Sequence, residues 1–224
     1  MKYFCSLLIA ITLFSCKNLG GKGAGSDKLF TSATFYVRYD ETDRTMMATA
    51  SFKRDTNSVK LPAGLLLNNK ALTYSNLPSA GRLYTLRTQS AAYSPKSSFM
   101  FADEKDESNQ YVADMPQITG IKTDAIIDLK KGLSFTWEGK PLLKEETLVV
   151  LVQDGLGATR ALNVVGPSET AGVTFLPVQL EGLKPGKGHL DIVRKVDLRQ
   201  TDAKGAGVTF QMEYYSPSIA VDLK

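Results

Sequence analysis

The chain has 224 residues, of which 43% are hydrophobic and 22% are charged. A chain of this composition can bury a hydrophobic core, which excludes a disordered tail, a collagen-like fibre and a disulfide-dense toxin. The net charge of +4 is too small for this length to mark a nucleic-acid-binding protein. One histidine, His189, and two cysteines, Cys5 and Cys16, leave little material for nucleophilic or metal chemistry.

The first predicted element is a secretory signal over residues 1–15. Lys2 supplies a positive charge, and an apolar run of about eleven residues extends from Phe4 to Phe14. A membrane-spanning helix needs about 20 apolar residues, so this run predicts export rather than a membrane span. A signal peptide of this kind is followed by a mature chain in an oxidising compartment.

The four residues Leu13-Phe14-Ser15-Cys16 resemble the lipobox of bacterial lipoproteins. In that family the cysteine thiol is acylated and the peptide bond before it is cut, so the resemblance implies that Cys16 is the lipid attachment site. An ordinary signal peptide cut elsewhere is the alternative, and it leaves Cys16 as an unpaired thiol. Lipidation anchors a protein to a membrane that it does not span.

Residues 16–27, which hold four glycines and two lysines, predict a flexible tether after the lipid. Lys17 stands where lipoproteins retained at the inner membrane carry Asp, so by this resemblance the outer membrane is expected. Lipoproteins of Bacteroidota that reach the cell surface often carry acidic residues just after the cysteine. Residues 17–21 have none, so by this resemblance a location facing the periplasm is favoured over the cell surface.

The body from residue 28 onward alternates apolar and polar residues with a period of two, which predicts strands. Residues 34–39 and 45–52 flank a charged turn and predict a first hairpin. Further strands are expected at 64–67, 83–88, 97–102 and 110–113. We interpret residues 28–117 as an N-terminal β-sandwich of six or seven short strands.

Residues 118–224 predict a second sandwich. Its expected strands are 132–137, 148–152, 161–165, 173–178, 189–196, 208–215 and 219–223. This half resembles an immunoglobulin-like or fibronectin type III domain in two places: Trp137, at the end of an early strand, and the run Leu180-Glu181-Gly182-Leu183-Lys184-Pro185-Gly186. That family places a Tyr shortly after the Pro-Gly, where this chain has His189 or Leu190.

The resemblance implies an all-β fold of two antiparallel β-sandwich domains and carries no catalytic residues. The whole chain also resembles lipoproteins of Bacteroidota that consist of a tether and two β-sandwiches. Trp137 is expected in the core. His189 and Asp191 are two residues apart on one strand, which does not give the geometry of a catalytic relay, so we expect no enzyme and no cofactor.

One acidic run carries oxygen ligands of the kind that calcium uses. It contains Asp103, Glu104, Asp106 and Glu107, and residues 40–43 form a second, shorter run. Neither run has the spacing of a known calcium loop. A solvated hairpin tip is the alternative interpretation and the default one.

Tyrosine rings are candidates for glycan contact, because a flat ring matches the apolar face of a sugar. The candidates by residue type are Tyr74, Tyr84, Tyr93, Tyr111, Tyr214 and Tyr215. Tyr214 and Tyr215 are adjacent on a predicted strand, so one of them must face outward. The alternative is that these rings lie at sheet edges with wet hydroxyl groups.

Together these features predict a membrane-anchored, non-enzymatic lipoprotein of the cell envelope. Its expected partners are the membrane, through the lipid on Cys16, and another envelope protein, because sandwiches expose sheet edges and end loops. The alternative is a glycan-binding accessory lipoprotein of a nutrient-uptake system.

Overall fold

The computed structural model describes residues 29–77 and 81–224, and the regular secondary structure of this part of the chain is almost entirely β-strand. The first half contains nine: β1 (Ser32–Asp40), β2 (Thr45–Arg54), β3 (Asn57–Ser58), β4 (Leu66–Leu67), β5 (Lys70–Ala71), β6 (Thr73–Leu77), β7 (Gly81–Thr88), β8 (Lys96–Ala102) and β9 (Ser108–Asp114). The expected hairpin of β1 and β2 is confirmed, since the two strands pair antiparallel from end to end.

The second half contains nine more strands: β10 (Thr119–Thr123), β11 (Ile126–Ile127), β12 (Leu133–Glu138), β13 (Glu146–Asp154), β14 (Thr159–Val165), β15 (Gly172–Phe175), β16 (Gly186–Thr201), β17 (Gly207–Tyr215) and β18 (Ile219–Leu223). A single 3₁₀ turn, Pro177–Leu180, follows β15. The strand expected at 173–178 ends early because Pro177 has no N–H for a sheet hydrogen bond. The all-β prediction is confirmed.

Alternation in the sequence explains why these segments form strands. Every second side chain of β12 is buried, from Leu133 through Phe135 to Trp137, and the residues between them face solvent. β13 buries Leu148, Val150 and Val152 completely, as expected for a central strand with neighbours on both sides. The burial of Trp137, at 5% exposure, confirms its predicted place in the core.

The second sandwich packs a three-stranded sheet against part of a much larger one. The small sheet has the order β10-β12-β15, and the facing strands run β14-β13-β16-β18 with β11 at the edge. Two sheets packed face to face form a β-sandwich. The expected β-sandwich in this half is confirmed, and its likeness to fibronectin type III domains stays a prediction.

The first sandwich packs a four-stranded sheet, β5-β4-β8-β9, against the strands β1-β2-β7-β6. The larger of these sheets continues into the second half of the chain, because β1 pairs along its whole length with β17. That pairing is parallel, as is the short pairing of β11 with β18, so the sheets are not purely antiparallel as expected.

One 11-stranded sheet thus runs through both halves of the chain. The strand β16 is 16 residues long; its first part pairs with β18 in the second sandwich and its last part pairs with β17 beside β1. The sheet crosses the predicted boundary between residues 117 and 118. The division into two domains at that point stays a prediction.

Within the described part of the chain no helix is long and apolar enough to cross a membrane. The predicted signal, the lipidation site Cys16 and the tether at 16–27 all lie outside the described residues, so their assignments stay predictions.

Candidate functional site

A cleft of about 600 Å³ lies at the end of the first sandwich where the described chain begins. Its floor is aromatic: Phe30 and Phe101 are each 6% exposed, and Tyr111 is half-buried. The rings pack on one another, with centroids 5.9 Å apart for Phe30 and Phe101 and 6.1 Å apart for Phe101 and Tyr111. Charged residues of both signs form the rim. We call this feature the end cleft.

One wall of the end cleft is the β8–β9 loop, residues 103–107, which is the acidic run found in the sequence. Asp103 organises this loop, because one of its carboxylate oxygens accepts the backbone N–H groups of Lys105 and Glu107, each at 3.0 Å. These hydrogen bonds, led by the one from Lys105, lower the pKa of Asp103. Asp106 takes a positive φ of 60°, a conformation that Asp tolerates in tight turns.

The opposite wall is the β16–β17 loop, residues 202–206, which lies about a hundred positions later in the sequence. Asp202 closes this turn by accepting the N–H groups of Lys204 and Ala206 at 2.9 and 2.7 Å. Gly205 adopts the left-handed φ of 78° that the turn requires. The same motif of a carboxylate capping its own loop therefore appears on both walls.

Hydrogen bonds and an ion pair join the two walls and the floor. The Tyr111 hydroxyl donates to Asp202 at 2.6 Å; burial and this hydrogen bond raise the pKa of Tyr111. The Lys204 ammonium lies 3.4 Å from Asp103 and donates to the Asn109 side chain at 3.0 Å. The end cleft is thus assembled from both halves of the chain and pre-organised by its own side chains.

Calcium binding by Asp103, Glu104, Asp106 and Glu107 stays a prediction. In residues 29–77 and 81–224, no group of three or more His, Cys, Asp or Glu side chains is placed to hold a metal ion. Asp103 accepts its hydrogen bonds from loop N–H groups and contacts Lys204, so the ammonium group lies where a loop-bound cation would be expected. The hairpin-tip interpretation accounts for these contacts.

The prediction that Tyr214 contacts a glycan at the surface is wrong. Its side chain is completely buried, its ring centroid lies 5.8 Å from that of Tyr39, and its hydroxyl donates to Glu41. Burial and this bond raise the pKa of Tyr214. Tyr214 alternates with Met212 and Phe210 on the inward face of β17, and a ring in the core has no face open to a sugar.

Tyr215 faces outward, as expected for the neighbour of a buried residue. Its ring lies under the Arg38 guanidinium, 3.8 Å from the ring centroid, and its hydroxyl donates to Glu213 at 3.1 Å. Glu213 also accepts from Tyr36 at 2.9 Å and pairs with Lys195 at 2.8 Å. Burial of Glu213 opposes its ionisation, but the bonds from Lys195 and Tyr36 outweigh it and lower the pKa. Tyr215 is therefore part of a closed polar network.

The other candidate tyrosines are engaged in different places. Tyr84 is 2% exposed and its hydroxyl accepts the Leu61 N–H at 2.7 Å. Tyr74 packs on Tyr84 at 5.2 Å between centroids, and Tyr93 donates to the Met115 carbonyl at 2.9 Å. The structure brings none of these three rings to the end cleft, whose single tyrosine is Tyr111.

His189 and Asp191 lie on the outward face of β16, with Nε2 and Oδ2 3.5 Å apart and both side chains 39% exposed. Neither residue lines the end cleft. The pair is an exposed contact between alternate residues of one strand, as the sequence spacing predicts.

Sequence reasoning missed Asp202 and Lys204. The available signal was local: Asp202 and Gly205 stand between two predicted strands, which is typical of a tight turn. Nothing in the sequence placed that turn beside Asp103, because the contact depends on the parallel pairing of β17 with β1.

No protein-family model and no curated protein sequence matches the chain. Among solved structures it is similar to a chain from a cytokine receptor complex, with 11% identity, a TM-score of 0.35 and coverage of 84% of this chain and 94% of the other. It is also similar to a four-repeat segment from the extending region of a large adhesion protein, with 12% identity, a TM-score of 0.27 and coverage of 86% and 49%. These overlaps are loose and carry no argument about function.

Proposed function

We propose that the chain is a membrane-anchored, non-enzymatic binding protein of the cell envelope, which holds a segment of a partner protein in the end cleft. The supporting observation is the cleft itself, whose aromatic floor and mixed-charge rim are fixed in place before any partner arrives. Its volume of about 600 Å³ lies within the roughly 300–1,000 Å³ of typical ligand sites. Pre-organisation lowers the entropy cost of binding.

The chemistry of the cleft favours binding over catalysis. Its lining residues include no histidine or cysteine. Asp103 and Asp202 accept hydrogen bonds from loop N–H groups and from Tyr111, so both carboxylates already serve the structure. An aromatic floor surrounded by a charged rim instead matches the anatomy of a protein-contact site, which has an apolar centre and a polar edge. The rim residues Glu104 and Lys105 are exposed charges that can orient a partner.

In the cleft experiment, the full chain carries a photo-crosslinking residue in place of Lys105, and intact cells are irradiated. We expect a discrete adduct with an identifiable envelope protein when the crosslinking residue is at position 105 in the end cleft, and none when it is at position 159. The matched control places the same residue at Thr159, an exposed position on β14. Equal labelling from both positions, or no adduct from position 105, would contradict the cleft assignment. Crosslinking to polysaccharide instead would favour the glycan-binding alternative.

The anchor is part of the same proposal. We propose that the lipid on Cys16 holds the protein at the outer membrane with the sandwiches facing the periplasm, supported by the lipobox-like residues 13–16. Replacing Cys16 with Ser is expected to abolish incorporation of labelled fatty acid and to leave the signal uncut. Continued labelling of that variant would overturn the anchor while leaving the cleft proposal standing.

A further inference from the structure

The strand β9 is the last strand of its sheet, so one of its edges has no neighbouring strand among the described residues. At one end of the β8–β9 ladder the Asp103 N–H donates to the Glu107 carbonyl, and at the other end the Met115 N–H donates to the Pro95 carbonyl. Alternate residues of an antiparallel pair bond across the ladder. These end bonds and the register therefore show which residues point their N–H and C=O groups away from β8: Ser108, Gln110, Val112 and Asp114.

The outward N–H and C=O groups of β9 have no backbone partner in residues 29–77 and 81–224. A row of unpaired groups of this kind is a template for a further strand. Free edges also occur at β6 and β14, so an unpaired edge does not by itself identify a binding site. The sheet that faces β9 supplies a second observation.

The facing sheet extends one strand beyond the part that is covered. Three inward residues of β17 are at most 1% exposed: Val208, Phe210 and Met212. Their paired neighbours on β16 are less buried: Gln200, which is exposed, and Leu198 and Val196, which are half-buried. Since directly paired residues lie on the same face of a sheet, the cover over this core ends between β17 and β16.

The free edge of β9 lies beside this uncovered strip. The ring of Tyr111 on β9 packs against Phe35 of β1 at 5.4 Å between centroids, and its hydroxyl reaches Asp202 at the end of β16. Beyond Asp197, only β17 pairs with β16 among the described strands, so the strip is one strand wide. We call the free edge of β9 together with residues 196, 198 and 200 the edge groove.

The edge groove opens into the end cleft. Glu107, the last residue of one cleft wall, directly precedes β9, and Asp202, the first residue of the other wall, directly follows β16. A chain segment that leaves the cleft between these two loops therefore enters the edge groove.

We propose that the partner segment held in the end cleft continues through the edge groove as an extended strand that pairs with β9. The proposal deepens the proposed function and rests on it. The occupant is a polypeptide, because an extended backbone presents N–H and C=O groups at the spacing of this edge, as in other cases of strand addition. Its alternate side chains face Val196 and Leu198, so the segment carries apolar residues with a period of two.

Two other occupants fit the edge groove less well. A second copy of the chain brings a four-stranded sheet, of which three strands extend past a strip that is one strand wide. The chain's own residues 16–27 hold four glycines, which weaken a strand. Both occupants are outcomes that the experiment detects.

The first test uses two adjacent positions on opposite faces of β16. The full chain carries the photo-crosslinking residue at Gln200, which faces the edge groove, or at Arg199, which faces away from it, and intact cells are irradiated. Mass spectrometry identifies the crosslinked peptide. From position 200 we expect the same partner segment that position 105 captures, and roughly tenfold less adduct from position 199.

The outcomes separate this proposal from the proposed function. An adduct from position 105 with none from position 200, or equal adducts from 199 and 200, overturns the edge groove and leaves the end cleft standing. An adduct from position 200 with a second copy or with residues 16–27 also overturns the edge groove. No adduct from either 105 or 200 overturns both proposals.

Proline on β9 tests the backbone pairing. Val112→Pro removes an N–H that points away from β8 and keeps the β8–β9 ladder, as edge strands tolerate. With the crosslinking residue at position 105, we expect about tenfold less adduct, because a carbonyl of the partner is left unpaired. Val112→Thr keeps the N–H and is expected to keep the adduct.

Asn163→Pro is the matched control, since it removes an outward N–H from β14, the edge strand of the second sandwich. Circular dichroism checks that each variant is folded, and the test at positions 199 and 200 does not depend on a proline. An undiminished adduct with Val112→Pro, or an equal loss with Asn163→Pro, would overturn the pairing with β9.

Discussion

The two sandwiches differ in where their strands come from. The second is built entirely from residues after 118, with β10-β12-β15 facing β14-β13-β16-β18. The first needs a strand from the far end of the chain, since β17 lies parallel to β1 and buries Phe210, Met212 and Tyr214 completely. The first core is therefore formed by segments that lie far apart in the sequence, whereas the second is formed by one contiguous stretch.

The length of β16 makes this arrangement possible. Sixteen residues span about 53 Å at about 3.3 Å per residue, which is more than one sandwich requires. The β16–β17 hairpin thus reaches from the second sandwich, along the first, to the end cleft, where it supplies Asp202 and Lys204. A substitution that disturbs this hairpin is therefore expected to destabilise the first core and to displace one wall of the end cleft.

The largest expected effect comes from Phe210→Ala. The Phe210 ring stacks on Phe35 with centroids 5.2 Å apart, so its removal leaves a cavity in the first core. We expect a loss of ~3–5 kcal/mol in the free energy of unfolding, measured by urea denaturation. The control Val178→Ala, at a side chain 61% exposed, should change little. A loss below about 1 kcal/mol for Phe210→Ala would refute its role in the first core.

The next effect concerns the buried pair where the two sandwiches meet. Arg194 donates to Glu146 at 2.5 Å and also to the carbonyls of Gln117 and Pro141 at 3.0 and 3.2 Å; both charged side chains are under 10% exposed. Glu146→Gln leaves the guanidinium without its counter-charge, so we expect a loss of ~3–5 kcal/mol in unfolding free energy.

A double-mutant cycle tests the pair. Arg194→Met and Glu146→Met are each expected to destabilise the protein, and the double variant Arg194→Met, Glu146→Met should lose less than these two single losses combined. Strictly additive losses would show that the two charges do not depend on each other.

A pH effect is expected from Asp154 in the second sandwich. Asp154 is 2% exposed and accepts the N–H groups of Lys184, Leu156 and Ala158. These bonds, led by that from Lys184, lower its pKa. The stabilisation is therefore present above the unfolded value of about 3.9 and is lost as the pH falls through the folded value.

We expect the urea midpoint to fall between pH 5 and pH 2.5, and to fall less in Asp154→Asn, whose side chain does not titrate; the two pH values bracket the unfolded pKa of about 3.9. Glu138→Gln, at an exposed surface pair, is the control and should retain the wild-type slope. An identical slope for Asp154→Asn and wild type would contradict the assignment.

The smallest expected effect on stability is that of Lys204→Met in the end cleft. The Lys204 side chain is 53% exposed, and exposed ion pairs contribute about 0–1 kcal/mol. We expect an unfolding free energy within about 1 kcal/mol of wild type, together with reduced photo-crosslinking from position 105 because the two cleft walls lose a contact. Unchanged crosslinking would separate Lys204 from the function of the cleft.

Local patterns in the sequence predict where the strands lie, but not which strands pair with one another. Alternation identified β12 and β13, and the adjacency of Tyr214 and Tyr215 showed that one must face outward. It did not show that Tyr214 lies in the first core, because strand order depends on long-range pairing that periodicity does not encode. For the same reason the sequence identifies Asp103 as a candidate oxygen ligand but does not predict its contact with Lys204.

The central claim is that β17 completes the first sandwich by pairing with β1. Native-state hydrogen exchange of the β1 amides tests this pairing most directly. If β17 completes the first sandwich, the amides of β1 that face β17 open with the same free energy as those of β17 and β16, and Phe210→Ala lowers all three together. Exchange of the β1 amides independently of β17, or a change of protection in β17 but not in β1 on Phe210→Ala, would contradict the pairing of β17 with the first sandwich.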